Sequence, residues 1–286
     1  MEDGQQFKIG FIIQARMGSS RLPGKILKKL PFKSKKTILE NIVLRLKESS
    51  YLSKIIVATS TKSNNNILEK HVKEDLNLDC YRGDENDVLS RFIEIQNKEK
   101  FDIIIRITAD NPCIDIQLLD ETIKNHIISK ADFTYSLNYP IGMNYEIIDA
   151  KKLELIKNHN QTNDEKEHVT LYMRNRPSQY KLNYITDKRY ENLDLIRLTV
   201  DTPLDYYLQC ILHDKLPDFF NLNDIQKLII SEPWIFEINK NICQQKCNIS
   251  IEEEITKSIE ILELNNFNHS AKILFDKLSE GNLKYQ

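Results

Sequence analysis

Glycine is scarce in this chain, seven of 286 residues, while lysine, asparagine and isoleucine abound. That bias reads as genomic composition and leaves no low-complexity linker and no repeat. No run of 18 or more apolar residues occurs, so no membrane span is expected. The net charge of −2 supplies no global field for nucleic acid or for a membrane surface. The opening MEDGQQFK is acidic and polar, unlike a signal peptide, and a cytoplasmic location is expected. The cysteines, Cys80, Cys113, Cys210, Cys243 and Cys247, are an odd, scattered set with no zinc-site spacing. On a helix Cys243 and Cys247 would share one face, but two thiols alone make a poor metal site, and a reducing compartment fits the whole set.

What is present is alternation. FKIGFIIQA, KIIVATS, DCYRG and FDIIIRITAD read as strands. KTILENIVLRLKES, NNNILEKHVKEDL, NDVLSRFIEIQNK and DIQLLDETIKNHII read as the helices between them. This order predicts an α/β fold with a mainly parallel, doubly wound sheet, whose ligands sit beyond the carboxyl ends of the strands. From residue 132 the rhythm breaks. DFTYSLN, GMNYEIID, YKLNYIT and LIRLTVD read as further strands, AKKLELIKNH and EKEHVTLYMRN as helices. Residues 132–185 are expected to form a small acceptor lobe over the carboxyl end of the sheet. A domain over 1–215 is followed by a helical C-terminal extension, 216–286. Its two helices in 250–280 either pack on the core or pair two copies as a homodimer.

The first strand opens into QARMGSSRLPGK. It is not a P-loop: five residues separate Gly18 from Gly24, Ile26 stands where a magnesium-binding hydroxyl belongs, and Pro23 lacks an N–H. The anion chemistry survives, because Arg16, Arg21 and Lys25 gather around two glycines. Lys25 is expected to stand exposed in the ligand-free loop. Asp110 in RITADNPCID and Asp201 in LTVDTPLD each follow an apolar strand and precede a proline. Either is a helix N-cap or a magnesium ligand, since magnesium is held by one or two carboxylates plus substrate phosphates. Tyr206-Tyr207 reads as core packing rather than a stacking platform. No D-x-D triplet occurs, which disfavours a GT-A glycosyltransferase.

QARMGSSRLPGK, IVATS, CYRGDENDVLSRF, IRITADNPCID, EKEHVT and LTVDTPLD, in this order, resemble the cytidylyltransferase family. The nearer match is its spore-coat-polysaccharide (SpsF-type) branch, related to acylneuraminate and ketodeoxyoctulosonate cytidylyltransferases. The resemblance spans about residues 8 to 215 and implies a Rossmann-like, GT-A-type nucleotidyltransferase fold. It implies CTP plus a sugar acid, such as a nonulosonic or octulosonic acid, giving a CMP-sugar and pyrophosphate with Mg2+. A phosphorylated acceptor giving a CDP-linked product is the alternative. By position, Arg16, Lys25, Asp110 and Asp201 would be catalytic, and Asp110 and Asp201 the metal ligands. Ala15, Arg16, Gly18, Ser19, Arg21, Lys25, Arg82, Asp87, Arg91 and Asp110 would meet the nucleotide. Glu146, Glu167 and His168 would meet the acceptor, with Glu167 and Arg174 on one face of a shared helix. The segment KKLPFKSKKTI departs from the family's glycine-containing turn.

Overall fold

The computed structural model describes residues 7–190, 192–242 and 251–279. Seven strands, β1 (Ile9–Gln14), β2 (Lys54–Ser60), β3 (Asp79–Gly83), β4 (Ile103–Thr108), β5 (Phe133–Leu137), β6 (Glu146–Asp149) and β7 (Leu182–Thr186), form one sheet. Its order is β3-β2-β1-β4-β6-β5-β7. Only β6 runs antiparallel, to both β4 and β5. From β1 the strands are added outward through β2 to β3, and the next, β4, is added parallel on the other side of β1; that reversal of strand order is the switch point where a doubly wound sheet opens a crevice.

Two-residue alternation divides the core. Ile9, Phe11 and Ile13 of β1, with Ile103, Ile105 and Ile107 of β4, face one layer; Ile12 and Ile104 face the other. Helix α1 (Ile38–Leu46) packs its Ile38, Leu39, Ile42, Val43 and Leu46 stripe into the first layer. Its start is set by a capping box between Thr37 and Glu40. Helix α2 (Asn66–Lys70) runs on into a π-helical turn, His71–Asp75. Helix α3 (Val88–Glu99) covers the second layer, and α4 (Ile116–Ser129) the first.

Beyond residue 132 the chain departs from expectation. The stretch 132–185 forms no separate lobe: β5, β6 and β7 extend the sheet because β6 hydrogen-bonds to β4. Helix α5 (Ala150–Ile156) follows as expected. EKEHVTLYMRN is not one helix: α6 (Asn163–Glu167) ends at His168, and α7 (Leu171–Arg174) starts anew after Thr170. Glu167 and Arg174 therefore share no helix face. LIRLTVD makes only an isolated bridge, Arg197 to Ile141. Gly142 makes that approach possible: its φ is 100°, and a Cβ there would come within 2.7 Å of the Thr199 nitrogen.

Helix α8 (Pro203–Lys215) is followed by α9 (Leu222–Ser231). Of the tyrosine pair on α8, Tyr206 is half-buried and packs against the core as expected, whereas Tyr207 is exposed. The chain forms two compact units, 1–240 and 241–286. The boundary falls later than residue 215 because Phe220, Leu222, Ile225, Ile235 and Phe236 belong to the main core. In the second unit α10 (Ile251–Leu264) and α11 (Asn268–Ser279) pack on each other as a hairpin, burying Ile259 and Ala271. Cys243 and Cys247 lie outside the described residues. Among the described residues no helix is long and apolar enough to cross a membrane.

Candidate active site

The loop after β1 is anchored at both ends. Ala15 is buried and its N–H donates to the Ala58 carbonyl, 3.0 Å. The Gly18 and Ser19 turn follows, with the Ser19 hydroxyl accepting from Leu22 N–H at 3.4 Å. Gly24 then adopts φ 66°, a left-handed turn that starts the short 3-10 helix Lys25–Leu27. Ile26 fills the core, and Lys25 turns inward beside it. Lys25 is 8% exposed rather than solvent-facing. Its Nζ lies 2.8 Å from Asp110 Oδ2 and 2.8 Å from Asp201 Oδ1. A single ammonium between two carboxylates offsets its own desolvation, which explains its burial.

Neither aspartate caps a helix. Asp115 caps α4 and Thr202 caps α8. Asp110 and Asp201 instead present side chains to one cation at the switch point. Asp201 Oδ2 accepts from Arg197 at 2.6 Å and lies 3.3 Å from Arg21. Burial alone would raise the Asp201 carboxyl, but Lys25, Arg21 and Arg197 together hold it below the ordinary aspartate range. Behind it, Arg197 Nε donates to the fully buried Asp205 at 2.9 Å. Asp205 also accepts from the N–H groups of Asp201 and Thr202 and from Asn239 Nδ2, at 3.0, 2.8 and 2.8 Å.

On the other side, Arg16 is exposed and lies 3.6 Å from Glu85 and 3.8 Å from Glu167. Glu85 accepts from the Ser60 hydroxyl; Asn65 bonds Ser60 at 2.7 Å and accepts from Met17 N–H at 2.8 Å. So the ends of β1, β2 and β3 are tied together. The three residues expected near the base serve these loops. Arg91 is buried and donates to the Asp84 and Glu85 carbonyls at 2.6 and 2.7 Å. Asp87 caps α3 by accepting from Ser90 N–H at 2.8 Å. Arg82 is taken up by the Ser60 and Lys62 carbonyls, Asn66 and Glu69.

On the acceptor side, Glu146 does not face solvent. Both its oxygens accept from Arg106 Nη1 at 2.9 Å, and Thr170 donates to it at 2.9 Å. Burial would raise its carboxyl, but Arg106, Thr170 and Arg174 bring it below the ordinary glutamate range. Arg106 also donates to Gln14 at 3.0 Å, which joins this cluster to the end of β1. Arg174 stacks over Tyr135 with 5.5 Å to the ring centroid. Glu167 is exposed beside Arg16, and His168 closes α6.

A doubly wound sheet, a cationic loop at its switch point and two carboxylates facing one another there define a nucleotidyltransferase of Rossmann-like fold. The chain belongs to the cytidylyltransferase family, whose profile matches residues 10–263, and is an enzyme of that type. The spore coat polysaccharide biosynthesis protein SpsF of Bacillus subtilis (strain 168) is 40% identical over 211 residues, 72% of this chain and 86% of the relative. A cytidylyltransferase structure from Leptospira borgpetersenii serovar Hardjo-bovis superimposes with a TM-score of 0.73 at 28% identity, covering 85% of this chain and 100% of that one. A CMP:2-keto-3-deoxy-manno-octonic acid synthetase, solved in complex with CTP, shares the fold with a TM-score of 0.55 at 16% identity, over 73% of this chain and 100% of that one.

Proposed function

We propose that this chain is a magnesium-dependent cytidylyltransferase acting on CTP and a sugar acid, giving a CMP-sugar and pyrophosphate for surface-polysaccharide or glycan biosynthesis. The observation that carries this reading is the Lys25 ammonium held 2.8 Å from Asp110 and Asp201 at the switch point. The names of the relatives support it: one is a spore coat polysaccharide biosynthesis protein, and another is a CMP:2-keto-3-deoxy-manno-octonic acid synthetase complexed with CTP.

The residues fit magnesium. Two carboxylate oxygens, one from each aspartate, already converge on one cation, which suits an ion that completes its shell with phosphate oxygens and water. Beside Asp110, the Asn111 Oδ1 oxygen is buried with no partner among the described residues, a further acceptor in need of a donor. Among those residues no group of three His, Cys, Asp or Glu could hold a metal, so the nucleotide must complete the site. Bound magnesium would neutralise charge on the phosphates and activate the acceptor oxygen. Lys25, released from the aspartates, would stabilise charge building on the α-phosphate and the leaving pyrophosphate. Arg16 and Arg21, both exposed at the loop, would hold the triphosphate. Arg91, Asp87 and Arg82 would shape the base pocket by fixing the loops, not by touching the base. The Arg106–Glu146 cluster, with Thr170 and Arg174, would line the acceptor side. Transfer needs no covalent nucleophile; positioning and charge neutralisation carry the rate.

The test is pyrophosphate release with CTP, magnesium and a panel of sugar acids. Turnover is expected only when nucleotide, acceptor and metal are all present, with CTP favoured over UTP, GTP and ATP. Release with a phosphorylated acceptor alone would replace the CMP-sugar by a CDP-linked product. Sugar transfer from a nucleotide sugar without pyrophosphate would make the chain a glycosyltransferase.

A further inference from the structure

The segment between Lys25 and α1 carries a feature that the active site does not use. Residues 26–37 hold five lysines, Lys28, Lys29, Lys33, Lys35 and Lys36, and neither an acid nor an arginine. The segment is a braced hairpin. Leu30 is buried, its N–H donates to the Lys36 carbonyl at 2.9 Å, and Lys29 bridges to Thr37. Ser34 N–H closes the tip onto the Pro31 carbonyl at 2.9 Å. Asn41 on α1 ties down the Leu30 carbonyl at 3.0 Å.

At that tip Phe32 is 56% exposed. It is held outward by α8: Tyr206 meets it edge-on at 5.2 Å, and Tyr207 lies at 5.7 Å. Tyr206 also donates its hydroxyl to the Lys29 carbonyl. Leu204, one turn before Tyr207 on the same helix face, is exposed as well. The lysines surround this apolar tip, and none of the five is ion-paired to an acid among the described residues. Glu40, the nearest acid in sequence, is turned back onto the Thr37 N–H.

We infer that this hairpin and the exposed face of α8 dock the enzyme on an anionic lipid surface. Three observations select that partner. A rigid loop with one aromatic at its tip and cations around it matches interfacial anchoring, in which the ring enters the acyl boundary and the ammonium groups meet the headgroups. The cations are all lysines, point charges suited to a diffuse anionic surface, and Lys33, Lys35 and Lys36 at the tip are exposed; a nucleic acid would favour the flat fork of arginine. The cluster sits in a chain whose net charge is −2, so the attraction is local and oriented. Docking here places the Lys25 loop and the start of α8, which carry the active site, close to the membrane. The inference does not depend on the identity of the acceptor.

Co-sedimentation of the full chain with phosphatidylcholine vesicles, with and without phosphatidylglycerol, tests it. Binding is expected only with phosphatidylglycerol and should fade as salt rises. Each lysine is expected to contribute about a five-fold factor in partitioning, so the triple variant Lys33→Glu, Lys35→Glu, Lys36→Glu should lose at least about 100-fold. Phe32→Ser should lose roughly ten-fold. Both variants alter exposed side chains, so circular dichroism and pyrophosphate release in solution should match the wild type. Three results would overturn the inference: no anionic-vesicle binding by the wild type at low salt; binding that the variants leave intact; or a wild-type dimer that the same variants split into monomers, which would assign the surface to a second copy. Tighter binding to an RNA oligomer than to vesicles would overturn it too.

Discussion

Replacing Lys25 by methionine keeps the length of the side chain and removes its charge. Two carboxylates then face one another with no cation between them. Breaking a buried ion pair costs roughly 3–5 kcal/mol. Here the loss should fall at or below the low end, about 2–3 kcal/mol, because Asp201 keeps Arg197 and Arg21 and the Asp110 side chain is 27% exposed. For a unit of this size that is a drop in Tm of roughly 5–10 °C. Turnover should fall about 10²–10³-fold, the usual loss for one preorganised charge contact to the transition state. The double variant Lys25→Met, Asp110→Asn separates the two effects. With one carboxylate neutralised the repulsion is relieved, so the pair should recover on the order of 1–2 kcal/mol relative to additivity. The assays are thermal unfolding and pyrophosphate release on the same preparations. A Lys25→Met protein that melts within about 1 °C of wild type would contradict the burial argument, and near-normal turnover would remove Lys25 from the mechanism.

Asp110→Asn and Asp201→Asn should each lower turnover by about 10²-fold or more and abolish manganese binding measured by calorimetry in the presence of CTP; activity that persists in both at low magnesium would show that the carboxylates hold no metal. Glu146→Gln leaves Arg106 buried without its counter-ion, so it should cost about 3 kcal/mol in chemical denaturation and raise the acceptor KM while CTP affinity is unchanged; lost CTP affinity with unaltered acceptor kinetics would exchange the two substrate sides. His126, buried against Thr134, and His213, packed edge-on against Phe220, both have pKa values lowered to about 4 by burial. Their neutral forms are favoured on folding, so stability is full above pH 6.5 and is lost as pH falls toward 4, by about 2 kcal/mol per histidine between pH 6.5 and 5. His126→Gln should flatten that slope in melting curves taken across this range, and an unchanged slope would refute the assignment.

The alternation of strand and helix through residue 129 was legible because each element carries its own period: β1 and β4 alternate by two, and α1 carries a 3.6-residue stripe. The cationic loop and Asp110 were legible from charge set at strand ends, and Asp201 from an acid between an apolar run and a proline. The errors share one cause, which is that the deciding contact is distant in sequence. Nothing local shows Lys25 to be buried; its partners lie 85 and 176 residues away. LIRLTVD alternates like a strand, yet Arg197 is drawn to Asp201 and Asp205, and only the bridge to Ile141 remains. EKEHVTLYMRN has helical spacing, but Thr170 turns to Glu146 and the helix breaks there. Arg106, Arg197, Asp205 and Asn239, which bond to or behind the candidate site residues, were missed. A signal existed for the two arginines, since each interrupts an apolar run, IIIRIT or LIRLTV, where a buried cation demands a partner. For Asp205 it was Thr-Pro-Leu-Asp, a capping-box spacing.

Those missed residues decide how Asp201 can act. Its backbone N–H is fixed by Asp205, and its Oδ2 oxygen is held by Arg197 at 2.6 Å. Only Oδ1 remains turned to Lys25. Arg197 and Asp205 are themselves bound by Asn239, whose Nδ2 donates to the Arg197 carbonyl at 3.0 Å as well as to Asp205. The carboxylate is thereby fixed in orientation before any ligand arrives, with Oδ1 the oxygen that Lys25 would give up to an incoming cation. Removing Asn239 touches no ligand, yet it unseats a buried carboxylate that Arg197, Asp201 N–H and Thr202 also bond. Asn239→Ala should therefore lower kcat with little change in the KM for CTP, and the conservative Asn239→Asp should not rescue it, because a second carboxylate beside Asp205 repels it. A change confined to Tm, with kcat intact, would make Asn239 a packing residue and leave Asp201 positioned by Arg197 alone.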